Sequence, residues 1–445
     1  MREVLVKNQE FKDSPVGKIP TDWEVCAIEN KLQQIIDYRG KTPEKTNSGV
    51  PLVTAKNVRD GYLDPEPREY IDKKNYDIWM RRGFAKAEDV LFTTEAPLGN
   101  VARVPSYKIA LAQRLLTLRA SPEALDADYL FWLLNWSESR RRLEQKSTGS
   151  TVLGIKQSVF RKILFRFPNL PEQRRIAEIL DTMDEAIART SSLIIKLKQT
   201  KAGLLQDLLT RGLDNDSKLR DSQAHPEQFK DSALGMIPKE WEVKYLGQVL
   251  TSIDAGKSPN CPDIPASGKE WGVLKISAVN PNGFKAEENK VIINRLFINQ
   301  NYEVKDGDLL ITRSNTYELV GLTCLVRNSP SRLLLCDKTL RLNIDLNRAE
   351  VEFIFYVLQM PYIRSQIESN ATGSSAGMKN ISQDIIKKFL VLLPEDLDEQ
   401  NSITCLLNSY DNRIRTEEAY LNKLKLQKYG LMQDLLTGKV RVKNI

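Results

Sequence analysis

The chain has 445 residues, 41% hydrophobic and 28% charged, with a formal net charge of +7. That length exceeds one ordinary core and predicts two to four domains at about 100–200 residues each, and the composition excludes a disordered or fibrous chain. A surplus of +7 over this length raises the expectation of a nucleic-acid partner only slightly. The longest apolar clusters, around "FIFYVL" and "FLVLLP", fall far short of the roughly 20 residues a bilayer requires, so no membrane partner is expected. The start, "MREVLVKNQEFKDS", lacks the apolar core and cleavage site of a signal peptide, which predicts a cytoplasmic protein. Five cysteines, Cys26, Cys261, Cys324, Cys336 and Cys405, form no CxxC pair; buried thiols are expected rather than disulfides or a metal site. The single histidine, His225, lies in a polar stretch that reads as a linker, so histidine chemistry is not expected.

Taken in chain order, the elements occur twice. "FKDSPVGKIPTDWEV" from Phe11 returns as "FKDSALGMIPKEWEV" from Phe229, and "YRGKTP" (38–43) is answered by "DAGKSP" (254–259). "DVLFTT", "VARV" and "LLTLRA" read as short strands in the first half, as do "LLITR" and "TCLVR" in the second. "DADYLFWLLNWSESRRRLEQ" and "VEFIFYVLQMPYIRSQIES" read as amphipathic helices, which makes each globular part α/β or α+β. "STGST" at Ser147 is echoed by "ATGSS" at Ala371, and both read as loops. Then comes the strongest match, without a gap: Glu172 and Gln173 recur as Glu399 and Gln400, Ile176 as Ile403, Asp184 as Asp411, Lys201 as Lys428, and "LLQDLLTRG" as "LMQDLLTGK". The stretch "GLDNDSKLRDSQAHPEQ" after the first copy reads as a domain boundary.

The matched C-terminal segments keep an apolar period of 3.5 residues. One seam carries Ile176, Leu180, Met183, Ile187, Ile194, Leu197 and Leu204; the other carries Ile403, Leu407, Ile414, Leu421, Leu424 and Leu431. Over some 36 residues, about 54 Å of helix, this predicts two coiled-coil helices that pair antiparallel with each other. The competing reading, a helix lying on its own domain's core, is strongest for the first two turns. Thr190 with Lys201 and Glu417 with Lys428 interrupt the seams and could fix their register.

Motifs for catalysis are missing. The "GKT" at Gly40 and "GKS" at Gly256 lack the upstream glycine of a Walker loop, with Ile35 and Thr251 in its place, and no GxG or HExxH occurs. A duplicated, diverged domain on a spacer instead suits a reader of two separate stretches of one duplex.

At "GxIPxxWE", "RGKTP" and "EQRRIAEILDTMDEAI" with its "LLQDLLT" ending, the chain resembles the specificity subunits of type I restriction-modification systems, over essentially its whole length. The resemblance implies two target-recognition domains reading an asymmetric, bipartite site in double-stranded DNA, with an antiparallel helix pair between them. It implies two methyltransferase subunits as partners and two restriction subunits as optional further ones. S-adenosylmethionine, ATP and magnesium would belong to those partners, this chain binding no cofactor or metal and carrying no catalytic residue. The expected divisions are 1–170 for the first target-recognition domain, 171–212 for its spacer helix, 213–227 for a linker, 228–396 for the second domain, 397–438 for its helix and 439–445 for a tail. The rivals are a partner-independent repressor or architectural protein, and a scaffold that does not bind DNA.

Residues common to both copies cannot easily read different bases, so they hold the fold, touch phosphates or dock partners. Arg39 and Lys41, with Lys257 in the second copy, sit in a turn with phosphate reach or in a purely structural turn. Lys56, Asn57, Arg59, Gln113 and Arg114 are the candidate base readers of the first domain, and Lys275, Arg313, Asn315 and Lys338 those of the second, because Arg and Lys suit guanine and Asn and Gln suit adenine. The run Arg140, Arg141, Arg142 is a candidate phosphate contact or a helix C-terminal charge.

Overall fold

The computed structural model describes residues 10–38, 40, 42–149, 152–373 and 377–442. The chain divides into two compact units, one holding the chain up to Ser192 and from Glu418 onward, the other Leu193–Glu417. The boundaries therefore fall inside the two long helices, Leu170–Arg211 and Leu397–Leu435, and not in the polar linker. That linker belongs to the second unit, where Arg220 is buried.

Both units use one topology. In the first, an antiparallel sheet runs in the order Leu32–Asp37, Leu115–Ala120, Val90–Thr93, Val101–Arg103. In the second the order is Leu250–Ala255, Thr339–Ile344, Leu309–Thr312, Thr323–Leu325. "VLFT" and "LLIT" are unbroken apolar runs because both faces of these central strands are covered. Their period of two divides the side chains between two cores. Val90 and Phe92 join a helical core, whereas Leu91 joins a smaller one under a second sheet; Leu309 and Ile311 divide from Leu310 in the same way. In that second sheet Val50–Val53 pairs antiparallel with Tyr70–Ile71 and parallel with Ala110–Leu111. Its counterpart Gly272–Leu274 pairs antiparallel with Asn289–Val291 and parallel with Leu333–Leu334.

The segments expected as amphipathic helices each break in two. Ala127–Asn135 and Ser137–Gln145 part at Trp136, which has extended backbone, and Val351–Val357 ends before Pro361 opens Pro361–Asn370. Tyr129 through Leu134 are all buried, so Ala127–Asn135 is wrapped on every side and has no polar face along that run. Only Cys324 and Cys336 of the five cysteines are buried; Cys405 is exposed and the other two are half-buried.

The long helices explain the duplicated ending. Their first turns lie on their own repeat's domain, with Ile176 and Leu180 in the first unit's core and Ile403 and Leu407 in the second's. Their last turns enter the core of the opposite repeat: Leu208 and Leu209 join the second unit, Leu435 and Leu436 the first. Within the second unit the contacts advance from Lys201 on one helix to Leu213 just past its end as they retreat from Asp411 to Glu399 on the other, through Lys201–Asp411 at 2.6 Å and Leu213 N–Glu399 at 2.8 Å. Within the first unit Lys428 pairs with Asp184 and Arg441 with Glu172, again antiparallel. The two seam lysines thus take their counter-charges from the facing helix. Each ammonium also sits over a ring, Lys201 at 5.2 Å from the centroid of Tyr356 and Lys428 at 4.6 Å from that of Trp132. Ile194, Ile414 and Leu424 are buried in the seam, while Met183, Ile187, Leu197, Leu204, Leu421 and Leu431 are half-buried.

A buried clamp closes the base of each unit. The indole N–H of Trp23 donates to Glu172 at 3.1 Å, and Arg441, from beyond the other repeat's helix, reaches the same carboxylate at 2.7 Å and Asp22 at 2.6 Å. These hydrogen bonds from Arg441 hold the Asp22 carboxyl below the ordinary aspartate value. In the second unit Trp241 donates to Glu399 at 3.1 Å and Arg220 reaches it at 2.5 Å. The glycine after each "LLT" permits this closure. Gly212 and Gly438 have φ of 66° and 71°, and an added Cβ would lie 2.4 Å from the Arg220 and Glu399 side chains in one case and from Pro20 in the other.

Glu399→Ala deprives the buried Arg220 of its main counter-charge and should cost the second unit roughly 3 kcal/mol. Hydrogen exchange resolved by segment checks it: protection should fall within residues 193–417 and hold in residues 10–192.

Candidate nucleic-acid interface

The parallel strand pair of the second sheet gathers most of the sequence-predicted readers. Because Val53 lies beside Leu111 in that pair, the loops leaving both strands emerge at one edge, and the Ala112 N–H donates to the Val53 carbonyl at 2.9 Å. Lys56, Asn57 and Arg59 follow one strand; Gln113 and Arg114 follow the other. The second unit repeats the arrangement, with Lys275 just beyond Gly272–Leu274 and Lys338 beyond Leu333–Leu334. The main sheet then adds its own loop. The Arg313 N–H donates to the Lys338 carbonyl at 2.8 Å, as the Thr94 N–H donates to the Arg114 carbonyl at 3.0 Å, so Arg114 and Lys338 hold equivalent places.

In the second unit Lys275, Asn315 and Lys338 line one concavity of 580 Å³, joined by Lys290 and Asp263. Lys275 and Lys290 both approach the Asp263 carboxylate, at 2.7 and 3.7 Å, and the hydrogen bond from Lys275 holds that carboxyl below its ordinary value. One carboxylate against three ammonium groups leaves the hollow cationic, a surface suited to phosphate and to guanine edges. Neither Lys290 nor Asp263 was singled out from sequence, since only the strand pairing brings them here. Arg313 is exposed at the same edge, and the Asn315 side-chain oxygen accepts from the Thr316 N–H at 2.9 Å, leaving its NH₂ to donate. Lys257 is exposed in its turn.

The first unit divides its candidates. Lys56 is exposed and Gln113 half-buried. Arg59 pairs with Asp64 at 3.2 Å, and Arg114 pairs with Glu95 at 2.9 Å from a left-handed backbone of φ 70°. Both arginines are half exposed, so a base or phosphate can compete for them at little cost. Asn57 is different. It is buried, its side-chain oxygen accepts from the Thr54 N–H and hydroxyl at 2.9 Å, and its NH₂ donates to the carbonyls of Asp64 and Pro67. With those groups already satisfied inside the loop, Asn57 holds the loop's shape and has no free amide group to offer a base.

Two of the three clustered arginines are likewise structural. Arg140 pairs with Asp60, while Arg142 pairs with Glu138 and donates to the Val16 carbonyl at 2.8 Å; Arg141 alone is exposed for a phosphate. Arg39, Lys41, Ser150, Thr151, Ser374 and Ser375 lie outside the described residues. Among the described residues no group of His, Cys, Asp and Glu has the arrangement of a metal site, and no helix is long and apolar enough to cross a membrane.

The residues shared by both copies fall in the frame, as with the Trp–Glu–Arg clamps. Gln173 belongs with them, accepting from the Asp126 N–H and donating to the Pro168 carbonyl, both at 2.9 Å. Gln400 makes the same pair of bonds with Glu350 and Pro394.

Comparison with known proteins agrees with the duplication. The family model described as type I restriction modification DNA specificity domain matches twice, over residues 20–199 and 238–426. The chain is 25% identical to the type I restriction enzyme MjaVIII specificity subunit of Methanocaldococcus jannaschii, over 99% of this chain and 98% of that one. It is 24% identical to the EcoKI specificity subunit of Escherichia coli K12, over 96% and 90% respectively. In fold it is similar to the crystal structure of the type I restriction-modification S subunit from M. genitalium, with a TM-score of 0.61 and 16% identity over 97% of this chain and 100% of that one. With two copies of the family domain covering most of its length, the chain belongs to the DNA specificity subunits of type I restriction-modification systems.

Proposed function

We propose that this chain selects an asymmetric, bipartite DNA site for a type I complex, each unit reading one half with the loops at the end of its parallel strand pair. The observation that carries this reading is the contrast between a frame repeated bond for bond and edges that differ: Lys56, Gln113 and Arg114 on one unit, Lys275, Arg313, Asn315 and Lys338 on the other. Two unlike surfaces on one frame suit two unlike half-sites. The gap between half-sites is set by the length of the two long helices, and the helix faces turned away from the seam receive two methyltransferase subunits. Adenine methylation, and cleavage where restriction subunits join, take place on those partners in the cytoplasm, with S-adenosylmethionine, ATP and magnesium bound there.

Lys338→Ala should cost roughly 1–3 kcal/mol of discrimination at one base pair of one half-site, leaving the other half unchanged. Sequencing of methylated adenines from the variant complex checks it; an unaltered site removes Lys338 from the readers. Replacing residues 33–168 with the corresponding segment of another specificity subunit should exchange one half-site alone. Adding one turn to both long helices should widen the gap between unchanged half-sites. A chain that binds a split site tightly without any methyltransferase would favour a repressor, and one with no DNA preference in any complex would favour a scaffold.

A further inference from the structure

Each unit has a further hollow, lined in part by the proline that ends its repeated "GKTP" or "GKSP" motif. In the second unit it measures 440 Å³, with Lys257, Pro259 and Ile292 on one side and the turn Arg295–Phe297 on the other. In the first unit it measures 340 Å³, bordered by Thr42, Pro43 and Ile71 and by the short helix Tyr76–Trp79. Pro43 and Pro259, which end the repeated sequence motif, thus each line one hollow, although the sequences that complete the hollows have diverged. Each hollow carries at its rim one large aliphatic side chain turned to solvent: Leu296 is 91% exposed and Ile78 is 72% exposed.

Scattered exposed apolar residues need no explanation. An aliphatic tip at the rim of such a hollow in two diverged domains does. Its surroundings indicate its partner. The 440 Å³ hollow shares Pro259 and Val273 with the cationic one that holds Lys275 and Lys338, so Leu296 stands on the edge already assigned to DNA. Around the first hollow stand Arg81 and Arg82 against the one acid Glu44, with Arg82 5.9 Å from the centroid of Tyr38. A basic rim around an apolar tip complements a duplex, whose anionic backbones flank apolar base faces and thymine methyl groups.

We propose that Ile78 and Leu296 are apolar contacts to the bases, one in each half-site, each beside the hollow that Pro43 or Pro259 lines. This rests on the reading of the chain as a DNA specificity subunit. The contact is insensitive to salt, because removing it frees no phosphate partner, and it is tolerant in shape, because a leucine and an isoleucine both serve.

The test uses the full chain in complex with its methyltransferase and a duplex carrying the target mapped for the unaltered complex, against a scrambled duplex. Leu296→Ser should weaken binding of the target about tenfold with an unchanged dependence on salt, and should slow methylation of the second unit's half-site. Leu296→Met should restore most of the loss, and Ile78→Ser should act on the first half-site in the same way. Unchanged affinity in both serine variants, or loss of the methyltransferase from the complex with unchanged DNA contact, would overturn the proposal, the latter assigning the tips to a protein partner. Failure of the unaltered complex to prefer any target over the scrambled duplex would instead sink the functional reading beneath it.

Discussion

One buried carboxylate at the head of each long helix organises the molecule. The Glu172 and Glu399 side chains are 4% and 9% exposed, and a carboxylate in such a place is tolerable only with full pairing. The repeat supplies part of that pairing from its own opening segment, as Trp23 or Trp241, and the rest from the far end of the other repeat, as Arg441 or Arg220. Neither repeat is complete by itself. The duplicated "QDLLT" ending recurs because each copy closes the opposite domain, burying two leucines in its core and delivering an arginine to its glutamate.

This crossed closure assigns the remaining shared residues their work. The seam lysines Lys201 and Lys428 find an aspartate on the facing helix and an aromatic ring beneath, which fixes the antiparallel register at two equivalent positions. Gln173 and Gln400 tie the head of each long helix to the start of the domain's own helical layer. With the frame held at these points, the loops at the end of the parallel strands are tied to the main sheet chiefly through backbone bonds, which any side chain there allows. Such are the bonds from the Thr94 N–H to the Arg114 carbonyl and from the Arg313 N–H to the Lys338 carbonyl. Asn57 marks the limit of that freedom, since its amide binds the loop from within.

Much of this was legible in the order of residues. The strands "VLFT" and "LLIT", the long helices and their apolar stripe, and the duplication itself all follow from local periodicity and self-similarity. Pairing over long distances was not. No period reveals that Val53 lies beside Leu111 in parallel, so the convergence of the loops that carry the candidate readers and the arrival of Lys290 and Asp263 had to come from the fold. The clamp arginines escaped the repeat comparison because Arg220 follows its helix by a longer loop than Arg441 does, which breaks the constant offset. Side-chain direction was equally hidden: nothing in "AKNVRD" says that Asn57 points inward while its neighbours Lys56 and Arg59 point out. The polar linker lies between the two matched family domains and packs on the second unit through Leu213 and Leu219 as well as Arg220.

Deleting residues 418–445 measures the crossed closure most directly. Hydrogen exchange of the shortened chain should show protection lost across residues 10–192, whose sequence is untouched, and retained across residues 193–417, which are contiguous with the cut. Loss confined to the second repeat, with the first fully protected, would contradict the account.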